Sequence, residues 1–63
     1  MNRFMIKETD DHKYKVVERM TGRAVRFSFG TPLFATDDHP ATIWNNYYSA
    51  RGFADRLSAS APT

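Results

Sequence analysis

No cysteine occurs in this 63-residue chain, so neither a disulfide nor a thiolate metal site can staple the fold. That absence matters at this size. A domain this small buries only about 60% of the surface its unfolded chain exposes, and its core beats chain entropy narrowly. Tight helix–sheet packing, oligomerisation or docking on a larger partner must then supply the stability. Long apolar runs are missing as well. The N-terminal patch Phe4-Met5-Ile6 falls far short of a signal-peptide core of roughly 7–15 residues. Nothing approaches the ~18 apolar residues of a membrane span. The expectation is a soluble cytoplasmic protein with no membrane role.

Glycine and proline are scarce, three of each, and no glycine-rich phosphate loop can be drawn. A Gly-x-Ser-x-Gly elbow, a His-Glu-x-x-His pair and a cysteine nucleophile are equally absent. So small a chain also has little room for an enzyme-sized pocket. A non-enzymatic protein without a cofactor is expected. Strong net charge is lacking too: +2 is too little to imply a polyanionic partner by itself.

What is present is globular. Apolar residues make up 41% and charged residues 25%, which excludes wholesale disorder. Phe4 to Lys7 alternates as a strand, with Phe4 and Ile6 on one side and Arg3, Met5 and Lys7 on the other. The polar cluster Thr9-Asp10-Asp11-His12 turns the chain. Lys13 to Met20 and Arg23 to Phe29 alternate again, separated by Thr21-Gly22. A loop centred there pairs Val16 with Phe27 and Tyr14 with Phe29. The inner face then holds Phe4, Ile6, Tyr14, Val16, Val25, Phe27 and Phe29. A one-residue slip would bring Lys15 beside Phe27 and is penalised. Glu18 falls on the core side, at the sheet margin, within expected reach of Arg23.

Gly30-Thr31-Pro32 ends the third strand, and Leu33-Phe34-Ala35 is a short fourth strand or an extended link. Thr36-Asp37-Asp38-His39-Pro40 has helix-start chemistry: an Asp cap, acidic charge at the positive end of the dipole, and Pro in the first turn. The spacing predicts a helix from about His39 to Leu57, flawed at Gly52 by ~1 kcal/mol against Ala. Residues 1–57 form one domain and 58–63 a frayed tail. The fold class is α+β in two layers: an antiparallel meander of three or four strands with one C-terminal helix packed across one face.

Three constellations carry functional expectations. Thr-Asp-Asp-His occurs twice, at 9–12 and 36–39; turns and caps prefer these residues. If Leu33-Ala35 is a strand, about 17–20 Å of sheet separates the copies, so no metal site is assigned. Second, Arg3, Lys7, Lys13, Lys15, Arg19 and Arg26 share the outer sheet face without a carboxylate of the same parity. The first 30 residues hold seven basic and four acidic side chains, the rest two and three. Such a face can track phosphates. It lacks the exposed aromatics on which bases stack, so nucleic-acid contact there would be weak, salt-sensitive and blind to sequence. Third, Ile43, Tyr47, Ala50, Ala54 and Leu57 form the stripe suited to the sheet, with Trp44 and Tyr48 beyond one edge and Phe53 beyond the other. Arg51 and Asp55 fall within the Trp44/Tyr48 flank. Trp, Tyr and Arg are enriched where binding energy concentrates. The leading expectation is a protein-binding module, a small regulator, inhibitor or accessory subunit, that uses Trp44, Tyr48 and Arg51, the basic face, or both. Direct nucleic-acid binding and a homodimer through helix pairing are the alternatives.

Overall fold

The computed structural model describes residues 3–29 and 31–60. Four short antiparallel strands in two hairpins precede a single helix: β1 Phe4–Glu8, β2 Tyr14–Glu18, β3 Val25–Arg26, β4 Leu33–Phe34 and α1 Tyr47–Ser60. α1 packs on β1 and β2, giving the two-layer α+β architecture. Phe4, Val16, Val25, Ala50, Phe53, Ala54 and Leu57 form the buried core, with Ile6, Tyr14, Phe34 and Trp44 packed around it. Full burial of side chains the size of Phe4 and Leu57 contributes about 1.5–3 kcal/mol each. No helix among the described residues is long and apolar enough to cross a membrane.

β1 and β2 pair from Phe4↔Glu18 to Glu8↔Tyr14. Their loop is a turn closed by the His12 N–H donating to the Thr9 carbonyl at 3.1 Å. His12 follows it at φ 62°, in the left-handed region where three-residue hairpin loops ordinarily place glycine.

The connection from β2 to β3 departs from the expected register by two residues. Val17 bridges Ala24, and the Glu18 N–H donates to the Arg23 carbonyl at 2.8 Å. A two-residue Thr21-Gly22 loop would need positive φ at both positions, which a β-branched threonine resists. The chain uses a longer loop instead, with Gly22 at φ 74° and its N–H on the Glu18 carbonyl at 2.8 Å. A shift of two keeps each side chain on its face, so Val16 and Val25 remain buried. The Glu18 carboxylate is held by Arg3 Nε at 2.6 Å and Thr21 Oγ1 at 2.7 Å, while Arg23 meets Glu18 through its main-chain carbonyl and acts on the carboxylate only through its charge. Arg23 instead lies over the Phe34 ring, 4.3 Å from its centroid.

β3 is shorter than expected. After Arg26 the chain leaves the sheet, and the Phe27 N–H donates to Thr42 Oγ1 at 2.8 Å. Phe27 and Phe29, expected inside, are 41% and 89% exposed. Trp44 takes the vacated place beside β2, exchanging two main-chain bonds with Tyr14 at 2.7 and 2.8 Å. Leu33-Phe34 is a strand paired with β3.

The helix begins eight residues later than the sequence pattern predicts and runs three further, through Ser60. Thr36 and His39 exchange main-chain bonds at 2.8 and 3.2 Å, so the Asp37-Asp38 cluster closes a local turn rather than capping a helix. Pro40 biases His39 toward extended backbone, and Trp44 then enters the ladder with Tyr14. The true cap is Asn46, whose Oδ1 accepts from the Tyr48 and Ser49 N–H groups at 2.7 and 3.3 Å. The buried stripe is therefore Ala50, Phe53, Ala54 and Leu57. Phe53 moves from flank to core, while Ile43 and Tyr47 are largely exposed. α1 is continuous through Gly52.

Candidate functional site

Where α1 starts decides which side chains share a surface. Because Trp44 precedes the helix, it approaches α1 from the side of Phe27 and packs on Phe53, ring centroids 5.4 Å apart. Phe27 stacks on the same Phe53 ring at 5.3 Å and 25°, and Phe29 meets Phe27 edge-on at 4.9 Å. On α1, Tyr48, Gly52 and Arg56 succeed one another at four-residue steps and turn toward these rings. Phe27, Trp44, Tyr48, Ser49, Gly52, Phe53 and Arg56 line an open groove of about 340 Å³. A methyl placed on Gly52 would meet nothing within 4 Å, so this glycine leaves bare helix surface in the groove. Tyr48 is 77% exposed and Trp44 half-buried. The groove offers flat apolar rings, the Arg56 guanidinium, the Tyr48 phenol and the Ser49 hydroxyl.

Trp44, Tyr48 and Arg51, expected together, are divided. Arg51 lies on the other flank of α1, with Asp55 at 3.9 Å. There it lines a second open groove of about 360 Å³ with Arg19, Tyr47, Ala54 and the β1 residues Phe4, Met5 and Ile6. Arg56 stands beside Trp44 and Tyr48 in its place. The pattern of alternation hid Phe27 and Phe29, since their parity points inward for as long as β3 is assumed to continue. The scarce signal was Gly30-Thr31-Pro32 close behind them, which marks the end of a strand without saying where the peeling starts.

The six basic residues of the outer face also divide. Arg3 turns to Glu18, and its guanidinium lies 5.1 Å from the Phe4 ring centroid. Lys13 Nζ donates to Asn45 Oδ1 at 2.9 Å, and Arg26 Nε donates to the Phe34 carbonyl at 3.4 Å. Arg19 is exposed and follows β2, its N–H donating to the Arg3 carbonyl at 2.8 Å. Lys7 and Lys15 stand directly opposite one another in the β1–β2 ladder, and neither has an ion-pair partner among the described residues. Beside them Val17, on the same face, is buried between its neighbours Met5 and Ala24.

Electrostatics elsewhere is local. The Thr21 hydroxyl first, and then the Arg3 guanidinium, hold the Glu18 carboxyl below its usual range against the opposing pull of desolvation. The Thr9 hydroxyl and the Asp11 main-chain N–H do the same for Asp11. The two Thr-Asp-Asp-His segments each serve their own turn. Among the described residues no three His, Asp or Glu side chains gather closely enough to hold a metal ion. Compared with protein-family models, with curated proteins and with solved structures, the chain matches none.

Proposed function

We propose that the protein is a small non-enzymatic binding module, a regulator, inhibitor or accessory subunit, which docks a protein partner on the aromatic groove beside α1. One observation carries the reading. Phe27, Phe29, Trp44 and Tyr48 converge on one side of the molecule with Arg56, and Phe29 and Tyr48 spend most of their surface on solvent. A domain this short of core would gain most by burying such rings, yet it holds them out. Aromatic and arginine side chains anchor protein interfaces because they bury large rigid area for few rotatable bonds.

The test is affinity capture with the wild-type chain against a Tyr48→Ala/Arg56→Ala variant. Both positions are exposed, so the variant should melt as the wild type does. The expected result is a partner retained by the wild type and lost by the folded variant. Equal retention by both defeats the proposal.

The Lys7–Lys15 opposition favours a second reading, in which the outer sheet face meets nucleic-acid phosphates. Like charges directly across a ladder repel, and an anion over the pair removes that penalty. Such binding would be weak and would fall steeply with salt. A gel-shift titration with a mixed-sequence oligonucleotide is the second arm of the same experiment. No shift at low salt ends this reading and leaves the first untouched.

A further inference from the structure

We infer that the segment docked on the aromatic groove is extended and proline-rich, with an acidic residue set among its prolines to meet Arg56. This rests on the protein-docking reading above and names the occupant. The inference starts from hydrogen-bonding character. Of the polar side chains lining the groove, the Trp44 indole and the Arg56 guanidinium can only donate, while the Tyr48 and Ser49 hydroxyls can donate or accept. None of the four has a side-chain hydrogen bond or ion pair among the described residues. No carboxylate or amide side chain lines the groove, and Arg56 is its one charged group. The complementary ligand is apolar, rich in acceptors and poor in donors, with negative charge opposite Arg56. A proline-rich segment has that character. Proline carries no N–H, and the polyproline II helix makes no internal hydrogen bonds, so its carbonyls stay free to accept. A carboxylate among the prolines takes the Arg56 fork through two parallel bonds.

Ring geometry and size select this occupant over others. Phe27 stacks on Phe53 at 5.3 Å and 25°, so those faces close on one another. Trp44 leans against both rings, at 6.1 and 5.4 Å, and Phe29 stands edge-on to Phe27 at 86°. Rings tilted in this way leave slots between edges rather than a row of open faces. Single-stranded nucleic acid needs successive open faces for its bases and a track of cations for its phosphates; the groove has neither. An amphipathic helix needs a groove long enough for anchors at i, i+3, i+4 and i+7. At about 340 Å³ this one stands near the lower bound of ~300 Å³ for small-molecule sites and has room for a few side chains only. Proline fills such slots well, because its ring loses no rotamer freedom on burial, and aromatic-lined grooves dock proline-rich segments. Access is open: Tyr48 is 77% exposed, and a methyl on Gly52 would meet nothing within 4 Å.

The test is fluorescence anisotropy with a labelled peptide of eight prolines around a central aspartate. The emission of Trp44, the chain's one tryptophan, reports whether the groove is the site. The wild-type chain should bind this peptide saturably and shift the Trp44 emission. A peptide with alanine in place of every proline should bind about tenfold more weakly or worse. Lysine in place of the aspartate should weaken binding about fivefold in the wild type and have no effect in Arg56→Ala. Gly52→Gln favours the helix and puts a side chain into the groove, so it should keep the far-UV circular dichroism spectrum and lose the peptide. Should that variant misfold, Tyr48→Ala makes the same test at an exposed position. Equal binding of the proline and alanine peptides overturns the inference, as does binding that both variants leave unchanged. A mixed-sequence oligonucleotide that shifts the Trp44 emission where the peptide does not also overturns it, by giving the groove to nucleic acid. If the proline peptide fails to bind while affinity capture still yields a partner lost by Tyr48→Ala/Arg56→Ala, this inference falls and the docking reading stands. If capture yields none either, both fall.

Discussion

Removing the indole of Trp44 should cost far more than its half-exposed position suggests. The side chain lies 5.4 Å from the Phe53 ring and 6.1 Å from Phe27, and it backs the core around Phe53. A fully buried Trp→Ala replacement costs about 3–5 kcal/mol. With Trp44 only partly buried, roughly half of that, ~2 kcal/mol, is the expected loss by the same scaling. The backbone bonds to Tyr14 survive the change, so no hydrogen-bond penalty adds to it. Total stability at ~0.05–0.15 kcal/mol per residue is only about 3–9 kcal/mol for a chain of this length. Trp44→Ala therefore removes a large share of it.

Tyr48→Ala is the control. Its ring touches Tyr47 edge-on at 5.7 Å but is otherwise exposed, and substitutions away from buried features stay within about 0.5 kcal/mol. Urea unfolding followed by far-UV circular dichroism compares the two, since tryptophan fluorescence disappears with the only tryptophan. At ~4–8 °C per kcal/mol for domains of this size, Trp44→Ala should melt about 8–16 °C lower and Tyr48→Ala nearly unchanged. Equal, small losses would show that the indole packs on nothing, and the placement of Trp44 against Phe53 would be wrong. The difference also dictates how the groove can be probed: Tyr48 and Arg56 can be changed without disturbing the fold, and Trp44 cannot.

Other expectations rest on single local features. His12 holds φ 62°, a conformation that costs most side chains ~1–2 kcal/mol and β-branched ones most. His12→Gly should raise stability by ~0.5 kcal/mol, after loss of its exposed bond to Glu8, which is worth little; His12→Val should lower it by ~1 kcal/mol. Thermal melts of the pair decide this, and a His12→Val melt at or above that of His12→Gly contradicts the turn geometry. The carboxyl of Glu18 is held below its ordinary value of 4.5, so the folded state binds its proton less readily than the unfolded one. Its contribution is complete above that value and is lost as pH falls through the lower folded value. Melting temperature should be level above about pH 5 and drop below it, and Glu18→Gln should flatten the drop. An unaltered acid profile in Glu18→Gln would remove Glu18 from the account.

The fold class was legible because two signals agreed. Period-two alternation in residues 4–7 and 13–19 and the helical spacing of Ala50, Ala54 and Leu57 each describe a surface that needs the other. Parity carried Phe4, Val16 and Val25 to the core even though the register between β2 and β3 is shifted by two residues, since a shift of two preserves faces. Boundaries were less legible because they turn on competitions between local and distant partners. Thr36-Asp37-Asp38-His39-Pro40 contains every residue type of a helix start, yet the Tyr14 main chain captures Trp44 first. Nothing adjacent in sequence reports that Tyr14, thirty residues earlier, will be free to do so.

That one competition also decides what the candidate surface is made of. Continued as a helix from His39, the chain would have carried Trp44, Tyr48 and Arg51 along one flank and left Phe27 and Phe29 beneath the sheet. Because Trp44 pairs with Tyr14 of β2, it occupies the place β3 would have filled, and the nearby Thr42 hydroxyl takes the Phe27 N–H that the ladder would have used. Phe27 and Phe29 are turned out and gather around the indole, and the later helix start brings Arg56 instead of Arg51 to their side. Arg51 is left facing β1, whose edge no strand covers among the described residues. The short extended stretch before α1 thus builds an aromatic groove on one flank of the helix. The opposite flank keeps the charged side chains of Arg19, Arg51 and Asp55 beside β1. Replacing Thr42 by Val tests this coupling, since the substitution keeps shape and removes only the oxygen that holds the Phe27 N–H. The resonances of Phe27 and Phe29 should shift together while those of Phe4 and Val16 stay in place. A spectrum changed only at residue 42 would mean that the aromatic groove forms independently of the segment that leads into α1.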